Sequence, residues 1–159
     1  MSDCAVAVYN IHIMAASYTM DHSLKSNVMV NNKLIWESSN ELESRGVNLM
    51  YLDTSTGLVS NVSHFDTSSD AGASSVLVAM LNNSLKEAIL IGVTYDDPMA
   101  SLSETAKAAL QLIGVIVDDV PYHGRFAFVA QIGYKERTRM VKSTNSQGSS
   151  VLEVRLVGE

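Results

Sequence analysis

An α+β domain is what this sequence predicts, on three observations. Most of the chain reads as short apolar segments rich in β-branched residues and separated by Asn, Asp, Gly and Ser turns, the pattern of antiparallel strands. Two segments, 66–85 and 101–114, switch to apolar spacings of three and four, the period of a helix with one buried face. The chain has 159 residues, no internal repeat and no linker long enough to split it, so one core can close without disulfide or metal staples.

The elements follow in order. Residues 4–16 are apolar and extended, with β-branched Val6, Val8, Ile11 and Ile13. Residues 27–36 read as a hairpin, because Asn31-Asn32 tolerates the positive φ of a two-residue turn. Ser38 to Arg45 is polar and fits a loop or one helical turn. Gly46 opens a strand to Leu52, residues 53–57 turn, and Leu58 to Phe65 returns. Ser68, Ser69 and Asp70 offer N-caps to a first helix whose stripe is Val76, Leu77, Met80 and Leu81. Residues 88–94 form a short buried strand broken by Tyr95-Asp96-Asp97-Pro98. Ser101 and Glu104 have capping-box spacing for a second helix. Its stripe is Leu102, Ala106, Ala109, Leu110 and Ile113, with Gly114 as the C′ residue. Phe126 to Ile132 is a strand. After it, residues 136–159 read as a C-terminal β-hairpin extension, with a flexible loop at 143–150, added to a domain of residues 1–135.

Composition excludes several function classes. The 11 Lys and Arg are scattered within a net charge of -6, and a phosphate-backbone binder needs clustered positive charge, so nucleic acid is not an expected partner. No run of 18 apolar residues occurs, so no membrane span is expected. The N-terminus lacks the pattern of a signal peptide, and the lone Cys4 cannot close an internal disulfide, which points to folding in a cytosol. Only 18% of residues are charged and mean hydropathy is +0.12, values that favour an assembly component over a free monomer.

Three motifs carry a resemblance. The first is Arg45-Gly46-Val47-Asn48, then Thr56-Gly57, then Phe65-Asp66-Thr67. The second is the strand from Ile89 into Tyr95-Asp96-Asp97-Pro98, followed by the helix stripe ending at Gly114. The third is the aromatic strand from Phe126 and Phe128 to Gly133. Taken in this order and spacing, the chain resembles the interleukin-like EMT inducer family over roughly residues 11–134. The resemblance implies two facing, mostly antiparallel β-sheets with two helices packed at the side. It also implies recognition rather than catalysis. Members include secreted cytokine-named proteins, a sugar-binding stem domain of a glycosyltransferase, and bacteriophage virion proteins. By position, Arg45 and Asp96 correspond to sugar-contacting residues of that stem domain. His123-Gly124-Arg125-Phe126 stands where the family usually has Arg-Asp-x-Trp, so His123 replaces an Arg. The disulfides of secreted members have no counterpart.

The candidate ligand residues are therefore Arg45, Asp96, Asp97, Tyr122, His123 and Arg125, on loops that mix acidic, aromatic and basic groups. Asp96-Asp97 reads first as a turn whose carboxylates satisfy backbone donors ahead of a helix, since Asp before Pro is ordinary turn chemistry, and second as a ligand-facing acidic pair. His12, His22, His64 and His123 lack metal-ligand spacing, and no nucleotide loop occurs, so no metal and no cofactor are expected. No nucleophile-and-base constellation is legible, so no enzyme activity is expected. The reading is a structural and binding module of a bacteriophage virion, in the tail or its fibres. It would be made in the host cytoplasm and form homo-oligomers, with three copies preferred, among other virion proteins. A glycan is the expected small ligand. The alternative is a stand-alone carbohydrate-binding or cytokine-like signalling module.

Overall fold

The computed structural model describes residues 6–17, 24–39, 41–143 and 148–158. Cys4, His22 and residues 144–147 of the expected flexible loop lie outside them. The elements run β1 (Val8–Ser17), β2 (Asn27–Val30), β3 (Lys33–Glu37), the single turn α1 (Glu41–Ser44), β4 (Gly46–Leu52) and β5 (Val59–Phe65). They continue as α2 (Ala73–Asn82), β6 (Ile89–Asp96), α3 (Glu104–Leu112), β7 (Arg125–Gln131), β8 (Arg139–Ser143) and β9 (Ser149–Val157). The class is α+β, as the two periodicities predict.

The strands form two layers. One has the order β5-β4-β6-β7-β8, all antiparallel. The other has the order β3-β2-β1-β9, also antiparallel. A parallel step of two pairs, Ala16↔Tyr95 and Ser17↔Asp96, joins β1 to β6, so hydrogen bonding runs through all nine strands. Ile11, Ile13 and Val28 of the four-stranded layer share one core with Ile91, Val93 and Ala127 of the other. The opposite face of the five-stranded layer carries Leu49, Leu90, Phe126 and Phe128, which pack under Leu77 of α2 and Leu110 of α3. β6 is thus covered on both sides, and all eight of its residues are buried. Each large side chain sealed this way contributes about 1.5–3 kcal/mol. Asn31 and Asn32 take φ of 49° and 64°, the left-handed turn expected of the first hairpin.

Four expectations are corrected. The caps of α2 are not Ser68, Ser69 or Asp70: the helix starts after Gly72 with no side-chain cap. Asp70 Oδ1 instead accepts from the Gly72 amide at 2.8 Å, stabilising the turn before the helix. The buried face of α2 is Ala73, Ser74, Leu77 and Leu81, while Val76 is 62% exposed. The cap of α3 is Ser103, whose Oγ accepts from the Ala106 amide at 3.1 Å, not Ser101. Its stripe is as expected, with Leu102, Ala106, Ala109, Leu110 and Ile113 all buried. Gly114, at φ +88°, donates to Gln111 O while Val115 donates to Leu110 O, the paired bonds that end a helix on a left-handed residue. Finally, β8 and β9 do not pair as a hairpin. β8 pairs with β7 and β9 with β1, so the C-terminal strands enter opposite layers.

Candidate functional site

Strand register gathers the candidate residues. Gly46 pairs with Tyr95, and the ladder carried one step further sets Arg45 beside Asp96. Antiparallel β7 begins at the same end of β6, which brings Arg125 and the preceding Tyr122-His123 loop alongside. All six residues therefore lie at one end of the layers, where β1 crosses to β6.

Their side chains have different tasks. Asp97 is 3% exposed. Its Oδ1 accepts from the Met99 amide at 3.3 Å and the His123 amide at 3.1 Å. Its Oδ2 lies 3.7 Å from His123 Nδ1. This carboxylate stitches two loops together through backbone amides. Asp96 is 8% exposed and holds φ at +63°, a conformation uncommon for a residue with a Cβ.

Arg125 is 5% exposed. Nε donates to Ser150 Oγ at 2.8 Å, Nη1 to Ser17 Oγ at 3.0 Å, and Nη2 to the Ser149 carbonyl at 3.1 Å. Burial lowers its pKa, since a desolvated cation is disfavoured. These bonds tie the start of β7 to the end of β1 and the start of β9. Arg125 is a clamp between layers.

Arg45 pairs with Asp66. Nε donates to both carboxylate oxygens at 3.0 Å, and Nη2 lies 2.9 Å from Oδ2. Beside this pair, Gly46 has φ +98°, and a Cβ there would lie 2.3 Å from Phe65 O and 2.6 Å from Thr67 N. The Arg-Gly and Phe-Asp-Thr motifs are thus two halves of one corner between β4 and the exit of β5.

Tyr122 faces outward, and His123 is half-buried beneath it with Nδ1 toward Asp97. Tyr122 is 64% exposed and its ring centroid lies 3.9 Å from that of His123, tilted by 56°. His123 takes φ +61° and its side chain is one-third exposed. The loop is held from within by Asp97 and by the Gly124 amide, which donates to Pro121 O at 2.8 Å. Ser17, Ser149 and Ser150 complete this end and were not singled out in the sequence. Their part depends on pairings between strands far apart in the chain, and no local pattern announces it.

For a metal, the nearest approach is Asp97 with His123, but Asp97 Oδ1 is already engaged by two amides. Among the described residues no group of three or more metal-ligating side chains comes together. A cleft of about 540 Å³ lies at the other end of the layers, lined by Tyr51, Asp53, Asn61, Asn83, Ser84 and Glu87. It shares no residue with the six. Among the described residues no helix is long and apolar enough to cross a membrane.

Comparison with known proteins gives one family. The family model described as interleukin-like EMT inducer matches residues 45–134, from the Arg-Gly corner to the end of the aromatic strand. A search of the curated proteins found no match.

Proposed function

The chain belongs to the interleukin-like EMT inducer family, and on that premise we propose that it is a non-enzymatic binding module whose recognition surface is the Tyr122–His123 loop. The observation that carries this reading is an exposed tyrosine ring set against a part-buried histidine, on a loop pinned from beneath by a buried carboxylate. A rigid ring offers its face to the apolar side of a sugar at little entropic cost, and the neighbouring imidazole supplies a directional hydrogen bond. Arg45, Asp97 and Arg125 serve this surface as its frame, since each is held by internal partners. The ligand class is a glycan.

In the same reading the chain is a structural component of a bacteriophage virion, in the tail or its fibres, assembled from several copies after synthesis in the host cytoplasm. Its charged fraction of 18% supports a surface that ends in contact with other proteins. The test is a glycan array with wild type, Tyr122→Ala and His123→Ala. Loss of the bound glycans in Tyr122→Ala, with an unchanged melting temperature, is expected. Binding that survives both substitutions moves the site, with the Asn61–Asn83 cleft next in line. A glycosidase and esterase screen checks the absence of catalysis: turnover that vanishes in Asp96→Ala would overturn it. Mass spectrometry of purified particles that lack the chain would end the virion assignment.

A further inference from the structure

The two edges of the four-stranded layer differ. β3 spans five residues and its pairing with β2 slips at Val28/Met29. β9 spans nine residues and matches β1 one for one, from Val8↔Val157 to Ala16↔Ser149. It contains no Pro and no Lys, two common devices that blunt an edge strand. Among the described residues, β1 is the one strand paired with it, and the Arg125 side chain reaches only its first two residues, Ser149 and Ser150.

The bonding direction can be read from the ends of the ladder. The Gly158 amide donates to Ala7 O, and the Gly148 carbonyl accepts from the Ser17 amide. Bonding alternates along an antiparallel strand. Even-numbered residues of β9 therefore bond toward β1. Val151, Glu153, Arg155 and Val157 turn their N–H and C=O groups outward. The side chains of these four are exposed, while Leu152, Val154 and Leu156 face the core yet are only half-buried. A cleft of about 340 Å³ opens between the Val154–Gly158 end of the strand and Val129–Gln131 of β7.

We infer that β9 pairs antiparallel with β9 of a second copy of this chain, about a twofold axis at Val154. This rests on the reading of the chain as an assembly component and names the contact. The charge pattern selects the register. A twofold at Val154 sets Glu153 opposite Arg155 of the second copy, twice by symmetry. It also sets Leu152 against Leu156 and Val151 against Val157. A twofold at Glu153 or at Arg155 would oppose like charges, which destabilises a sheet pair. A twofold at Leu152 or Leu156 would leave both ion pairs unmade. Backbone bonding permits the chosen register, because outward-bonding residues meet outward-bonding residues and Val154 meets itself in a non-hydrogen-bonded pair, and the charges select it among the registers so permitted. Glu153 already lies 3.2 Å from His12 Nδ1, a contact at the open surface that leaves its other side for Arg155 of the second copy. The result is a closed, isologous dimer with a sheet continuous across both copies, in place of the three copies the sequence favours.

The experiment is light scattering across a dilution series on the full chain, in a Cys4→Ser background. Glu153→Arg and Arg155→Glu each place like charges at both symmetric contacts and should each raise the dimer dissociation constant roughly tenfold. The double swap restores the pairing and should return the constant toward that of the parent. Val154→Cys gives the geometric check. In a non-hydrogen-bonded pair the Cβ atoms lie about 4.5–5.5 Å apart, close enough for a cross-strand disulfide with slight adjustment. It should cross-link on mild oxidation, whereas Ser60→Cys on β5 should not. An oligomer whose mass ignores all these substitutions overturns the β9 contact and leaves the assembly reading standing. A parent protein that is monomeric at every concentration overturns both.

Discussion

Arg45 and Asp66 show what a sequence motif does when it is not a ligand site. Both side chains are 22% exposed. Partial burial alone would raise the Asp66 pKa, but hydrogen bonds from Arg45 and Ser69, with the Arg45 charge, outweigh it and hold the carboxyl below its ordinary value. A carboxylate with a depressed folded pKa adds stability that is complete above its unfolded pKa and is lost as pH falls through the folded value. The corner should therefore be fully stabilising near neutral pH and weaken below about pH 4. Asp66→Asn is expected to lower stability by about 1–2 kcal/mol near neutral pH, less than a deeply buried pair would lose. It should also flatten the acid limb of the stability curve. Urea titrations at a series of pH values check this; an acid limb equally steep in the variant would dismiss Asp66 as its source. Gly46→Ala probes the same corner through the backbone. The new Cβ would strike main-chain atoms of Phe65 and Thr67 that cannot swing away. A loss of about 3 kcal/mol or more is expected, read from the same urea midpoints.

At the scale of elements, the two helices differ in how far local pattern reaches. The stripe of α3 is legible because Leu102, Ala106, Ala109, Leu110 and Ile113 are all apolar and all buried. Its cap is not, because Ser101 and Ser103 stand two residues apart and either could serve. Tertiary contacts decide: Ser101 donates its amide to Thr67 O at 2.7 Å and its hydroxyl to Ser68 O at 3.4 Å, which leaves Ser103 to cap. In α2 the phase itself is hidden. Ser74 looks like a surface residue but is buried, donating to Ser101 O and accepting from the Ser103 amide, both at 3.0 Å. Seating Ser74 rotates Val76 into solvent. Substitution separates the two phases. Leu77→Asp and Leu110→Asp each bury an uncompensated carboxylate and should cost on the order of 3 kcal/mol. Val76→Asp, on the exposed face, should stay within about 0.5 kcal/mol. Denaturation midpoints in which Val76→Asp costs as much as Leu77→Asp would refute the observed rotation.

At the scale of the whole molecule, alternation announces strands but not their partners. Two strands joined by a short loop are ordinarily read as a hairpin, since neighbours in sequence usually pair. Here β7 and β1 both offer open edges at the same end, so β8 takes one and β9 the other. The buried Arg125 binds that split together, because Ser17, Ser149 and Ser150 reach it from two strands of the opposite layer. The family match ends at residue 134, so these last strands lie beyond the matched segment; β8 extends its layer, and β9 joins β1, which precedes it. Removing residues 136–159 should therefore not liberate a folded core. It would uncover the edges of β1 and β7 and take away Val141, Leu152, Val154 and Leu156, which pack on the inter-layer core. It would also leave a buried guanidinium without two of its partners, a defect that alone costs a few kcal/mol. Such losses match the whole stability of an ordinary domain. The truncated chain is expected to lose cooperative urea unfolding and dispersed amide NMR signals. An Arg125→Met variant of the full chain, which replaces the desolvated charge by an apolar side chain of similar length, should stay folded with a smaller loss. If the truncated protein instead unfolds cooperatively at the midpoint of the full chain, β8 and β9 are an appendage, and the two-layer architecture closes without them.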